Sequence, residues 1–393
     1  MRQTAERARA AARRLRLLTS PEKDGALRAV ASALRAARAA IEEANHADLA
    51  AELPPAKKDR LRIDVEGVAA GVESVAALPD PVGRIEEAHP EGAFRLYRRR
   101  VPIGVILFVY EARPNVTTDA AALCFKSGNA VLLKGGAEAR RTNEALLTAM
   151  APCLPRDAVQ LVGGGHEGVA ELLRMEDLID LVIPRGGESL IRAVAEKSRI
   201  PVIKHYRGNC HVYVDAEADL DMAERVLTNA KCQRPATCNA AEKLLVHERV
   251  AAAFLPRLVG LGVELRGDER ARAVVPMKDA TEEDWYEEYL DLVLGVKVVA
   301  SLEEAIGHIE RYGSHHTDAI VTRDERAARR FLAEVDSATV LWNASTRLAD
   351  GGVFGLGAEV GISTDRIHAR GPMGLAELTT YTWVVEGNGD LRT

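Results

Sequence analysis

Residues 231–239 read Lys-Cys-Gln-Arg-Pro-Ala-Thr-Cys-Asn and hold the side chain best suited to act as a nucleophile, Cys238. Small residues surround it, a proline-broken loop precedes it and a helix-like run, 240–242, follows. A thiolate beside a turn or helix start gains from backbone N–H groups, and Arg234 and Lys231 would lower its pKa further. On this stretch alone the other reading of Cys238 is a small buried hydrophobe, the common fate of a free cysteine. Asn115 follows Arg113-Pro114 on the loop after an apolar run at 105–109. There it offers an amide donor of the kind an oxyanion needs, or ordinary turn chemistry. Gly163, Gly165 and Gly168 form a literal G-x-G-x-x-G ahead of a helix-like run, a pattern that brings backbone N–H groups to a phosphate. The acidic residue expected at the end of the next strand is missing, since that strand ends in Pro184-Arg185-Gly186-Gly187, so a ligand-free glycine turn stays open. Lys134 ends another apolar run before Gly135-Gly136, where it would reach a ribose hydroxyl or phosphate, or simply meet solvent.

These side chains need elements to hold them. Residues 2–18 and 22–51 carry helical periodicity, broken at Pro21 with Thr19 or Ser20 as N-cap, and 57–78 holds one or two more helices. Residues 94–98 alternate as a half-exposed strand should, behind a turn at Pro90-Glu91-Gly92. Short apolar runs at 105–109, 130–133, 159–162 and 181–183 then alternate with helical patterns, which predicts a doubly wound parallel sheet. A second such block runs from 212 to about 370, with strands near 243–247, 296–299, 318–321 and 339–341. The tail at 379–385 is β-branched and aromatic, a strand able to pair with an edge elsewhere, including on another subunit.

The totals set bounds. A chain of 393 residues accommodates two or three domains, and a net charge of −6 invites neither nucleic acid nor an anionic membrane. Five cysteines, at 124, 153, 210, 232 and 238, are odd in number and lack C-x-x-C spacing. Cys232 and Cys238 stand without a histidine nearby in sequence, so no metal is expected. A reduced cytoplasmic setting fits, and no apolar run reaches membrane-spanning length. The Arg-rich start reads as a helix of the mature protein rather than a targeting segment.

Taken together, the motifs resemble the aldehyde dehydrogenase superfamily and, within it, the gamma-glutamyl phosphate reductase family. The most specific match runs from Val299 through Ala305-Ile306, His308-Ile309 and Tyr312-Gly313-Ser314 to His316-Thr317-Asp318 and Ile320. Residues 110–115, 183–187, 233–235 and 238–240 match too, so the resemblance spans nearly the whole chain. It implies an aldehyde dehydrogenase-like α/β fold: two doubly wound domains plus a β-hairpin and C-terminal strand for oligomerisation. The nucleotide domain would comprise 1–83 and 103–207, the catalytic domain 208–372, and the oligomerisation element 84–102 with 373–393.

The resemblance makes Cys238 the nucleophile and gives Asn115, with the Cys238 backbone N–H, the oxyanion. Lys134 and Gly163, Gly165, Gly168 and Gly186 would hold NADPH or NADP. Glu288 would match the glutamate on the nicotinamide ribose, although Tyr289-Leu290-Asp291 follows it where the superfamily has Phe-Gly-Pro. Where oxidising relatives carry a water-activating glutamate, residues 203–209 have none, which suits a reductase whose thioester must survive until hydride arrives. The implied reaction converts L-glutamyl 5-phosphate to L-glutamate 5-semialdehyde and phosphate, in proline biosynthesis. Arg113 and Arg234 are candidates for the substrate's anionic groups or for bracing the loops, and His316 and Asp318 for structural or site-edge roles. Rival readings are an oxidative dehydrogenase acting without phosphate and a silent nucleotide binder, which thiol labelling of Cys238 would separate. A homodimer or homotetramer is expected. Coupling to glutamate 5-kinase, motivated by the lability of the acyl phosphate, is a hypothesis that an unchanged intermediate transfer in a coupled assay would remove.

Overall fold

The structure is a computed structural model and describes residues 1–89 and 94–392; the turn expected at Pro90-Glu91-Gly92 lies outside them. The chain divides into two compact units, the first comprising Met1–Lys204, Gly355–Gly361 and Met373–Thr393, the second His205–Phe354 and Ile362–Pro372.

The first unit opens with five helices: α1 (Arg2–Leu15), α2 (Ser20–Ala36), α3 (Arg38–Leu49), α4 (Pro55–Leu61) and α5 (Val65–Ala77). Thr19 caps α2 reciprocally with Glu22, and the run expected as one helix over 22–51 breaks at Ala37 into two. Two strands follow, β1 (Ile85–His89) and β2 (Arg95–Pro102). Next come β3 (Val105–Tyr110), α6 (Asn115–Lys126), β4 (Ala130–Gly135), α7 (Arg140–Met150), β5 (Val159–Leu161), α8 (His166–Leu172), β6 (Leu181–Arg185) and α9 (Glu188–Lys197). The four strands from β3 to β6 pair in parallel in the order β5-β4-β3-β6. Every residue of β3 is buried, which explains its unbroken apolar sequence: helices cover both faces of such a sheet. Two buried lysines tie the helices together. Lys23 on α2 donates to Asp80 at 2.6 Å, and Lys126 on α6 reaches Asp24 and the Ala76 carbonyl.

The second unit contains β7 (Cys210–Val214), α10 (Leu220–Cys232), β8 (Ala241–His247), α11 (Glu248–Phe254), β9 (Glu264–Gly267), α12 (Glu269–Arg272), β10 (Lys278–Asp279) and α13 (Glu282–Tyr286). After these come β11 (Val293–Val299), α14 (Leu302–Tyr312), β12 (Thr317–Val321), α15 (Glu325–Glu334) and β13 (Thr339–Trp342). Its seven-stranded parallel sheet has the order β10-β9-β11-β8-β7-β12-β13. Residues Ala241 and Glu242 belong to β8, so the run after Cys238 is the start of a central strand and not a helix. Buried on both faces, that strand shows no alternation at its start, and three small or polar residues gave a false helical reading.

Two short strands, β14 (Gly361–Ser363) and β15 (Gly371–Met373), mark where the chain passes from one unit to the other and back. The tail forms β16 (Thr379–Glu386), antiparallel to β2 from Thr379 opposite Pro102 to Glu386 opposite Arg95. With β1 it completes a three-stranded sheet within this chain. Among the described residues, no helix is long and apolar enough to cross a membrane.

Candidate active site

In the second unit, Cys238 sits half-buried in the turn between α10 and β8. The turn is clamped from several sides. Its carbonyl accepts the Cys210 thiol at 3.2 Å, while an added Cβ on Gly208 would lie 1.8 Å from the same oxygen. No side chain larger than hydrogen fits at 208 while the turn stays where it is. The Gly208 N–H donates to Glu288 at 2.9 Å, so Glu288 holds the strand of backbone that walls the cysteine. Glu288 in turn rests on a loop whose Tyr289 and Leu290 N–H groups approach Glu242 at 3.3 and 3.4 Å.

Lys231, expected to draw down the thiol's pKa, points elsewhere. Its ammonium is buried and paired with Glu242 at 2.9 Å, because a buried charge on α10 needs a partner on the adjoining strand. Arg234 is exposed on the turn, with its carbonyl accepting the Thr237 hydroxyl at 2.9 Å. Arg347, which drew no notice in the sequence, is the cation that grips this loop: its guanidinium donates to Gln233 at 3.0 Å, to Thr237 at 3.2 Å and to Asn239. Asn239 then donates to the Ala349 carbonyl at 3.0 Å.

Two histidines join the cysteine. One ring nitrogen each of His205 and His316 and the Cys238 sulfur all lie within 4.8 Å of one another. The absence of a histidine near Cys238 in sequence therefore does not carry over to the fold, which gathers them from positions 33 residues before and 78 after. His205 Nδ1 lies 2.8 Å from the Ile362 carbonyl, which can only accept, so Nδ1 carries the proton and Nε2 the lone pair. Asp318 is structural: its carboxylate accepts the His211 N–H at 2.8 Å and meets Nδ1 of the same residue at 3.1 Å. Of the remaining cysteines, Cys124 and Cys210 are wholly buried, and burial pushes both thiols well above their usual range.

The first unit holds the other candidate residues. Asn115 is the first residue of α6, and its amide donates to Asp119 one turn on at 3.1 Å. The loop ahead of it is stitched in place, with the Ala112 N–H on Glu138 at 2.9 Å and Ala112 strained at φ +36°. Arg113, Asn115, Asp119, Arg185 and Glu359 line a cavity of about 150 Å³. Two arginines and two acidic residues thus line one small space. Burial raises the Asp119 carboxyl to about 6 against the opposing pull of Asn115 and Arg185.

At the sheet's carboxyl ends, Lys134 is half-buried and donates to the Gly135 carbonyl at 3.0 Å; burial lowers its pKa while Glu138 opposes. Gly163 and Gly165 would meet nothing within 4 Å if given a Cβ, whereas Gly164 needs glycine for its φ of +79° and Gly168 packs near Met1. Gly186 is pressed against Glu111, 2.7 Å from where its Cβ would stand, and Gly187 donates to that carboxylate at 3.1 Å. Open space over Gly163 and Gly165, the start of α8 and the Lys134 amine fit a dinucleotide's phosphates and sugar hydroxyls.

A model of the aldehyde dehydrogenase family matches residues 1–294. A gamma-glutamyl phosphate reductase of Moorella thermoacetica is 52% identical over 98% of this chain and 97% of its own length, and one of Symbiobacterium thermophilum 51% identical over 100% of both. A crystal structure of gamma-glutamyl phosphate reductase from Thermotoga maritima matches with TM-score 0.97 at 44% identity, covering 100% of this chain and 99% of that one. The chain belongs to the gamma-glutamyl phosphate reductases of the aldehyde dehydrogenase family. The fold is the family's: a probable aldehyde dehydrogenase from Listeria monocytogenes, only 15% identical, still matches with TM-score 0.72 over 99% of this chain and 97% of that one. Within the family frame, sequence reading missed Gly208, Arg347, Asp119, Arg185 and Glu359. Asp119 had a legible signal, four residues beyond Asn115 on a helix start, and Arg185 stood inside a matched motif. Arg347 and Glu359 had none, because tertiary folding alone brings them in.

Proposed function

We propose that this chain reduces L-glutamyl 5-phosphate to L-glutamate 5-semialdehyde with release of phosphate, using NADPH and a thioacyl intermediate on Cys238. The observation that carries this reading is the clamped turn at Cys238, in a chain about half identical, end to end, to gamma-glutamyl phosphate reductases. Cys238 attacks the acyl carbon and the acyl–phosphate bond breaks, with phosphate leaving as an anion. Family resemblance gives the developing oxyanion to Asn115 and the Cys238 backbone N–H, and Asn115 retains a second amide hydrogen beyond the one on Asp119. When bound, NADPH supplies the hydride that converts the thioester to the aldehyde oxidation level. Lys134 and the backbone at Gly163 and Gly165 would hold it.

The substrate's α-ammonium and α-carboxylate need opposite charges in one place. Arg113, which lines a small cavity of the first unit with Arg185, Asp119 and Glu359, remains a candidate for one of the substrate's anionic groups. Arg234, exposed on the cysteine turn, is left for the phosphate. The test is the reverse reaction: glutamate semialdehyde and NADP, with and without phosphate. NADPH formation that requires phosphate supports the reading. Turnover without phosphate would mean water resolves the thioester and would replace it with an oxidative dehydrogenase.

A further inference from the structure

We infer that His205, Cys238 and His316 form a binding site for a borderline-soft divalent cation, zinc above all, that reversibly silences the thiol. The donor set is one thiolate and two imidazoles, the ligands zinc prefers over oxygen-rich surroundings. Their ligating atoms already lie within 4.8 Å of one another. Tetrahedral zinc needs sulfur and nitrogen roughly 3.5 Å apart, so closure from the widest separation allowed here, 4.8 Å, asks for a contraction of about 1.3 Å. That is within reach of side chains on irregular backbone, as both Cys238 and His205 are.

The surroundings are those of a metal site as well. His205 donates Nδ1–H to the Ile362 carbonyl at 2.8 Å, which fixes its ring and leaves Nε2 as the donor atom. His316 has Nδ1 2.9 Å from Thr317 Oγ1 and 3.8 Å from Cys210 Sγ, and the two histidine rings meet edge to face at 5.5 Å. An imidazole whose second nitrogen is engaged by a protein oxygen is the usual arrangement around a bound metal. Three ligands leave a fourth position to water. On binding, the sulfur–metal bond forms and the thiol proton passes to buffer. A metal-held sulfur cannot attack an acyl carbon, so metal binding and acylation exclude each other. The site stands on this geometry and does not depend on which acyl group the chain accepts.

The experiment is alkylation of the full chain with iodoacetamide, with and without zinc ion, read at Cys238 by peptide mass spectrometry. Micromolar zinc is expected to slow Cys238 alkylation at least about tenfold, with EDTA restoring it. His205→Ala and His316→Ala should each weaken that protection by at least about tenfold. Because His316 is buried and its loss could perturb the sheet, His205→Ala, compared with its own zinc-free rate, is the deciding variant. Protection that persists in His205→Ala, or zinc that leaves Cys238 alkylation unchanged, would overturn the site. The labelling readout needs no substrate, so failure of the reductase reading would leave it untouched.

Discussion

The Cys238 carbonyl is held between the Cys210 thiol and the bare α-carbon of Gly208, and that contact sets where the sulfur can stand. Alanine at 208 would put a methyl group 1.8 Å from the carbonyl oxygen, far inside any allowed contact. One of the two backbone segments must then move. Gly208→Ala should lower the turnover number by about 10²-fold through misplacement of the nucleophile. Its stability cost should stay near 1–3 kcal/mol, as for other overpacked sites. Steady-state kinetics beside thermal unfolding checks both, and unchanged turnover in a folded variant would show that the contact does not position the sulfur. At this scale the sequence was partly readable. Cys238 was marked as a candidate by its turn of small residues, and the family resemblance, rather than the stretch alone, made it the nucleophile. Gly208 looked like any loop glycine, since its constraint comes from backbone 30 residues away. Lys231 misled because sequence proximity says nothing of where a long side chain ends; its charge needed Glu242 more than the thiol needed it.

At the scale of elements, α14 contributes His308, whose ring is buried against Trp285, His211 and Tyr312 at 5.4, 5.5 and 4.5 Å. Its Nε2 lacks a hydrogen-bond partner. Burial, helped by His211 and nearby cations, pulls its pKa from 6.5 to about 2. A histidine depressed in the fold binds its proton more readily when unfolded. Its contribution is therefore complete above about pH 6.5 and lost progressively as the pH falls below it. Each pH unit on that acid side should cost up to about 1.4 kcal/mol. His308→Leu, which keeps the apolar contacts and removes the titration, should flatten the slope in denaturant unfolding between pH 6.5 and 5; parallel slopes would show that other groups carry it. The strands themselves were legible because parallel strands buried on both faces leave unbroken apolar runs, as β3 does. Boundaries were harder: β8 begins with Ala241 and Glu242, and a buried glutamate paired to Lys231 disguises a strand.

On the scale of the whole molecule, β16 leaves Tyr381, Trp383 and Val385 about half exposed in a row, with Arg98 lying over both aromatic rings. A strand that presents three large apolar side chains at period two is a surface suited to a second subunit. Trp383→Glu should therefore lower the molecular mass seen in sedimentation while leaving the monomer's secondary structure intact. An unchanged mass would show that this strand carries no subunit contact. The two-block organisation was readable from alternating strands and helices. The return of residues 355–361 to the first unit was not, because a segment that carries Glu359 and Val360 into the cavity beside Asn115 has no local signature.

The proposed reaction requires Cys238 to become acylated. The most direct measurement mixes the protein with freshly generated L-glutamyl 5-phosphate in the absence of reduced cofactor, followed by acid quench and peptide mass spectrometry. The expected result is a glutamyl adduct on Cys238 that NADPH discharges within one turnover and that Cys238→Ala does not form. Aldehyde production from that variant, or turnover of wild type with no adduct at Cys238 at any time, would contradict it.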